Sequence, residues 1–226
     1  MMRILVSARS VDEALLAARG GADFIDLKEP GQGALGGLPG VTIRAIIAAL
    51  RSNAVSLPVS ATIGDWPMHA LRDIQTRVGA VGACGVSYVK VGIERDPAAY
   101  AVLDALAGAG RPIVPVFIAD RGLDDALLAH AVALRFPALM LDTADKGVGS
   151  LFDVLPTADL QRFVATVRAG GAMVGLAGAL RLAHAKALAT LAPDFAGFRS
   201  AVCVGERSAA LDAACLRDLV GVMRSA

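Results

Sequence analysis

The sequence predicts an α/β fold, a (β/α)8 TIM barrel built as a single domain over residues 1–226, on three observations. Short apolar runs alternate with helical stretches, eight of each. The runs are four to six residues long and rich in Val, Ile and Leu, as strands buried on both faces should be. No Ser/Pro-rich linker divides the chain, and 226 residues is an ordinary size for such a barrel. A doubly wound open sheet is the competing arrangement. It lacks support because no strand runs into a Gly-x-Gly-x-x-Gly turn that opens a helix.

The first strand falls at 4–7. Ser10 then opens a helix at 11–19, and Glu13 three residues on gives the spacing of a capping box. The second strand, 24–28, leads into the Gly-rich segment 31–38 and a helix at 42–51. That segment lacks the Gly-Lys-Ser/Thr of a Walker loop, so it is read either as a phosphate cradle or as a set of tight turns. Strands at 59–63, 88–92, 113–118 and 138–142 alternate with helices at 68–82, 97–109, 124–134 and 158–169. A strand at 173–177, a helix at 180–191, a strand at 197–202 and a helix at 209–223 complete the set.

Composition excludes several classes of function. A net charge of +1 without a basic cluster gives no nucleic-acid footprint. The longest charge-free stretch is fourteen residues (30–43) and holds five Gly and two Pro, too short and too broken to span a bilayer. The N-terminal residues enter a strand at once, without a signal-peptide segment. Cys84, Cys203 and Cys215 show no paired metal spacing and read as small buried hydrophobes of a reducing cytoplasm. His69, His130 and His184 have no ligand spacing either, so no metal and no cofactor are expected. The Ala-rich helices and 55% hydrophobic content are read as covering a subunit interface, hence a homo-oligomer.

The chain has four lysines against eighteen arginines, and three of the lysines stand at or just past strand ends. Side chains alternate along a strand, so Asp26 shares a face with Lys28, Tyr88 with Lys90, and Met140 with Asp142; Lys146 follows in the next loop. These are the second, fourth and sixth strands, and alternate strands fill the same layer of a barrel interior. Facing outward, the charges would meet the apolar side of the helix ring, so the inward reading is preferred. A free lysine, with a pKa of ~10.4, is protonated at neutral pH and not nucleophilic. Bringing it near ~7 takes about 4–5 kcal/mol, and burial and neighbouring ammonium groups act in that direction. The cluster therefore points to an amine that attacks a carbonyl. Asp65 and Asp120, just past the third and fifth strands, either face the site or cap the next helix. Barrels commonly bind phosphate after the seventh and eighth strands. Here Gly178 and Ala179 are read as one half of such a site and Gly205 and Arg207 as the other, the alternative being a helix cap without a ligand. Lys186 lies on a helix and reads as surface.

Several unusual motifs occur together and in order: Asp26-x-Lys28-x-Pro30, Val59-Ser60-Ala61-Thr62-Ile63-Gly64-Asp65, Tyr88-Val89-Lys90-Val91-Gly92 and Leu141-Asp142-Thr143-Ala144-x-Lys146. Ser150-Leu151-Phe152-Asp153, Leu176-Ala177-Gly178 and Gly197-x-Arg199 follow. Together they resemble the (5-formylfuran-3-yl)methyl phosphate synthase family from Leu5 to about Arg207. The resemblance implies a barrel lyase of methanofuran-type cofactor biosynthesis. Such an enzyme joins two molecules of glyceraldehyde 3-phosphate, releases phosphate and water, and forms 4-(hydroxymethyl)-2-furancarboxaldehyde phosphate. Carried over by motif, Lys28 is the Schiff-base lysine and Lys90 the proton acceptor. Asp26, Asp142 and Lys146 support them, and Arg199 joins the substrate-binding set. Ala179 stands where the family often has Ser. The alternative is another Schiff-base aldolase acting on a sugar phosphate. In either case the partner is a small phosphorylated molecule.

Overall fold

The computed structural model describes residues 2–145, 147 and 149–226. Eight parallel strands close into a barrel in sequence order. They are β1 (Arg3–Ala8), β2 (Phe24–Leu27), β3 (Val59–Thr62), β4 (Tyr88–Ile93), β5 (Ile113–Ile118), β6 (Ala138–Asp142), β7 (Met173–Leu176) and β8 (Phe195–Phe198). The helices among the described residues are α1 (Val11–Arg19), α2 (Gly40–Ser52), α3 (Leu71–Gly82), α4 (Ala99–Ala107) and α5 (Asp125–Ala133), then α6 (Leu151–Val154), α7 (Thr157–Ala169), α8 (Ala185–Leu191) and α9 (Ala213–Ser225). The barrel expected from the alternating pattern is the fold found.

Strand parity divides the core in two. Ile4, Val6, Ile25, Leu27, Leu139 and Leu141 face outward and pack with helix residues such as Ile43, Leu103, Phe163 and Leu216. Leu5, Phe24, Val114, Val116, Met140 and Phe195 face inward and fill the barrel. The helices bury apolar residues against the sheet, such as Ile43 and Ile46 of α2 and Phe163 and Val167 of α7, and that burial rather than intrinsic propensity holds them in place.

Three expectations need correction. The eighth strand is not 197–202 but begins at Phe195, which pairs with Arg3 of β1. Asp194 sets that start: its carboxylate accepts the Val174 N–H at 2.7 Å, and its carbonyl accepts the Arg3 N–H at 3.0 Å. After Phe198 the chain leaves the sheet and Ser200–Val202 forms a 3-10 turn. The single helix expected at 180–191 is a 3-10 turn at Leu182–His184 followed by α8, because the Arg181 N–H donates to His184 Nδ1 at 3.1 Å. Helix α6 was not expected. Asp153 Oδ2 initiates it by accepting both the N–H (2.7 Å) and the hydroxyl (2.6 Å) of Ser150.

The capping box read at α1 is half kept. Ser10 Oγ accepts the Glu13 N–H at 3.2 Å, but Glu13 returns its bond to the Arg9 N–H at 2.9 Å rather than to Ser10. Inside the barrel, Gly175 of β7 leaves no room for a side chain. A Cβ there would lie 2.3 Å from Phe195 Cζ and 3.0 Å from Met140 Cγ. Gly175→Ala is therefore expected to cost about 1–3 kcal/mol as an overpacking change, read as a lower urea midpoint at unchanged slope.

Candidate functional site

The inner face turns polar toward the C-terminal ends of the strands. Asp26 and Lys28 come from β2 or its end, Ser60 from β3, Lys90 from β4 and Asp142 from β6, and all five are buried. The parity argument thus places the charges inside the barrel, as expected. Their pairing was not legible from neighbours in sequence, because it runs across the barrel. Lys28 Nζ lies 3.5 Å from Asp142 Oδ2, and Lys90 Nζ lies 3.0 Å from Asp26 Oδ1.

The two pairs stand at different depths. Lys28, Asp26 and Asp142 line the cavity at the barrel mouth, together with Ser7, Gly178 and Arg207. Lys90 instead borders a small apolar cavity below, among Phe24, Tyr88, Val114 and Phe195. Its ammonium is paired with Asp26 by charge, yet the approach is off the direction a hydrogen bond needs, and no described group accepts from Nζ. Burial pulls the Lys90 pKa down, against the upward pull of Asp26; the Lys28 charge adds to the lowering. Asp26 Oδ1 also accepts the Ser60 hydroxyl at 2.5 Å, and Asp142 Oδ1 accepts the Thr143 N–H at 2.8 Å. Lys146 lies outside the described residues.

The residues expected to bind phosphate separate into three kinds. Gly178, Ala179 and Arg207 line the mouth cavity. Gly178 and Ala179 both have positive φ, 116° and 46°, which turns the backbone sharply after β7. Burial pulls the Arg207 pKa down and Asp142 pulls it back up, but a guanidinium keeps its charge throughout. Gly205 is exposed and is not part of the cavity lining. Arg199 reaches the cavity wall with no donor to spare. Its Nε donates to Arg207 O at 2.8 Å, Nη1 to Ser7 O at 3.1 Å and Glu13 Oε2 at 2.6 Å, and Nη2 to Glu13 Oε1 at 3.1 Å and Ala209 O at 2.5 Å. Five donors meet five acceptors, so Arg199 ties the loop after β8 to α1 and β1 and has nothing left for a phosphate.

Neither Asp65 nor Asp120 caps the next helix, one of the two roles read from the sequence. Asp65 does not cap α3, which starts six residues later. It is exposed beside the mouth, in a depression shared with Trp66, Glu94 and Arg121, and its carboxylate accepts the Leu35 N–H. Asp120 accepts the N–H groups of Ala144 (2.8 Å) and Asp145 (2.7 Å), so it clamps the loop after β6; Asp124 caps α5.

The Gly-rich segment after β2 folds over the mouth. Ala34 and Leu35 are buried with the barrel-interior residues, and Leu35 Cδ1 would be 2.8 Å from a Cβ on the inward-facing Gly92. Gly36 must lack a side chain, since a Cβ would fall 2.3 Å from Glu29 O. Arg207 Nη2 donates to Gly33 O at 3.3 Å, joining this segment to the loop after β8. Sequence reasoning missed Ser60, Glu13 and Leu35 as parts of the site. Ser60 could have been found, because parity puts it on the polar inner face of β3; Glu13 and Leu35 carried no such signal. Among the described residues no group of His, Cys, Asp and Glu has metal-binding geometry, and no helix is long and apolar enough to cross a membrane.

The sequence model of the 4-HFC-P synthase family matches residues 4–220. A protein of Archaeoglobus fulgidus named (5-formylfuran-3-yl)methyl phosphate synthase is 35% identical over 92% of this chain and 93% of its own. One from Methanothermobacter thermautotrophicus with the same name is 31% identical over 90% of both. A Methylorubrum extorquens protein given that name provisionally is 39% identical, covering 99% of this chain and 92% of its own. Among solved structures, phosphoribosyl anthranilate isomerase from Thermus thermophilus superposes with a TM-score of 0.68 at 19% identity, over 99% of both chains. For 3-hexulose-6-phosphate synthase from Salmonella typhimurium the TM-score is 0.67 at 19% identity, again over 99% of both. At those identities the two structures speak for the barrel alone.

Removing the Glu13 carboxylate leaves the Arg199 guanidinium buried without its counter-charge. Glu13→Ala is expected to destabilise the protein by about 3–5 kcal/mol in urea unfolding, far beyond the loss from an exposed ion pair.

Proposed function

Because the chain belongs to the 4-HFC-P synthase family, we propose that it joins two molecules of glyceraldehyde 3-phosphate through a lysine Schiff base. The product is 4-(hydroxymethyl)-2-furancarboxaldehyde phosphate, a step of methanofuran-type cofactor biosynthesis, with release of phosphate and water. The observation that carries this reading is the presence of two buried lysine–carboxylate pairs inside one barrel, Lys28–Asp142 at its mouth and Lys90–Asp26 reaching below it. A purely structural site would have little use for four buried charges, since each costs several kcal/mol to desolvate.

Lys28 is the nucleophile in this reading. Its amine adds to the carbonyl of the first triose phosphate, and loss of water gives a protonated imine that draws electrons from the neighbouring carbon. Asp142, 3.5 Å from Lys28 Nζ, is placed to take the proton the ammonium must lose before attack. The pair of Asp26 and Lys90 then accepts the proton from the adjacent C–H, leaving an enamine that attacks the second aldehyde. Asp142 and Lys146 serve proton transfer in the later eliminations that make the ring aromatic. The turn at Gly178 and Ala179 and the Arg207 guanidinium hold a substrate phosphate; Arg199 keeps Arg207 in position. The absence of Ser after Gly178 leaves backbone N–H groups as donors on that side.

Borohydride treatment with glyceraldehyde 3-phosphate should fix one adduct, mapped by peptide mass spectrometry to Lys28. Lys28→Arg should give none, because guanidinium forms no imine at neutral pH; adduct at the wild-type level in that variant would remove Lys28 from the role. Furan-aldehyde absorbance appearing together with free phosphate separates this reaction from that of another Schiff-base aldolase, which would give neither.

A further inference from the structure

We infer that the substrate proton is taken by Asp26 Oδ2 and passed on to Lys90, and that the Ser60 hydroxyl is a positioning group for this relay. The inference deepens the proposed reaction and rests on it. Three observations carry it. Lys90 does not line the mouth cavity, whereas Asp26 does. Asp26 Oδ1 is held from two sides, by Ser60 Oγ at 2.5 Å and Lys90 Nζ at 3.0 Å. Oδ2 accepts no hydrogen bond from the described residues and is the oxygen left for a substrate. All three side chains are buried, and deuterium enters the relay through the exchangeable hydrogens of the Lys90 amine.

The step balances within these groups. Before it, Asp26 is a carboxylate and Lys90 a neutral amine, the form that burial of Lys90 favours. Oδ2 removes the proton from the carbon next to the Lys28 imine, the C–H electron pair forms the enamine double bond, and the C=N pair returns to nitrogen. The carboxyl then turns about its Cβ–Cγ bond, which carries the proton from the substrate side to the side that Lys90 Nζ approaches, and Lys90 becomes ammonium beside a restored carboxylate. When the enamine is later consumed the proton returns by the same path. Ser60 donates to the carboxylate throughout, and its bond counts most while Lys90 is neutral and gives the carboxylate no charge partner.

The pH dependence follows. The competent form carries one proton fewer than the resting ion pair, so proton removal speeds up as pH rises through the apparent pKa of the pair. Other groups acting on that value are Lys28, which lowers it, and Asp142, which raises it; the Tyr88 phenol borders the cavity below Lys90. Losing the Ser60 hydroxyl destabilises the competent form, so the rising limb should move to higher pH by about one unit.

The test is the rate of deuterium uptake from solvent at the carbon beside the carbonyl of glyceraldehyde 3-phosphate, measured against pH. Borohydride trapping is run on every variant. Exchange is expressed per Lys28 adduct formed by each variant, and on that scale it is expected to be at least 100-fold slower in Asp26→Asn and in Lys90→Met. In Ser60→Ala the limb moves up by about a unit, and Ser60→Thr, which keeps the hydroxyl, restores it. Exchange within a few-fold of wild type in Asp26→Asn, or a Ser60→Ala limb that stays in place while only its height falls, overturns the relay. Failure of wild-type protein to trap at Lys28 overturns the proposed reaction itself, a different outcome on a different readout.

Discussion

Four charged groups share the inside of one barrel, and everything at the mouth follows from the need to neutralise them there. A carboxylate or ammonium taken out of water costs several kcal/mol even after relaxation, and only a close partner of opposite sign recovers most of it. The barrel meets that need with two crossed pairs, Asp26 with Lys90 and Asp142 with Lys28. Neither pair joins residues of one strand. Each therefore depends on the register that closes the sheet: Asp26 aligns with Ser60, Thr62 with Lys90, and Ile118 with Asp142. A slip of one residue on any strand would turn its charges toward the helix ring and leave a partner unpaired.

The space around those pairs is made by what is missing as much as by what is present. Gly92, Gly175 and Gly197 face inward on β4, β7 and β8, where a barrel usually places branched side chains. The room at Gly175 is taken by Phe195 and that at Gly92 by Leu35, while Gly197 borders the mouth cavity itself. Leu35 arrives from the segment after β2, which Asp65, Thr62 and Arg207 hold in place through the Leu35 N–H, the Gly36 carbonyl and the Gly33 carbonyl. The same Arg207 stands at the mouth cavity, so the covering segment and the cationic wall share one side chain.

Local pattern made the barrel legible in advance. Two-residue parity, Gly and Pro punctuation and amphipathic stripes each report on a few neighbours, and seven of the eight strands follow from them. The eighth was placed two residues late and carried past its end; what ends it, Arg199 drawn to Glu13 of α1, depends on a contact 186 residues away in sequence. The same distance effect explains the site. That Asp26, Lys28, Lys90 and Asp142 face inward was readable from parity together with the cost of burying a charge against the helix ring. Which carboxylate meets which ammonium was not, nor was the diversion of Arg199 into a structural strut, since both depend on contacts between distant segments.

The division of labour between the two cations explains the scarcity of lysine. Arginine keeps its charge at any physiological pH and offers five donors in a fixed fork. Arg199 uses all five to bind a loop, a helix and a strand together, and a removable charge there would make the fold depend on pH. Lysine offers the opposite property, a charge that burial can take away. Lys90 is where this chain buries that property, with its amine against an apolar cavity and paired with a carboxylate already held by Ser60. Arginine at that position would keep the pair neutral for good and so fix the proton in place. A chain that needs permanent charge in eighteen places and a removable one in very few would be expected to spend its cations in about this proportion.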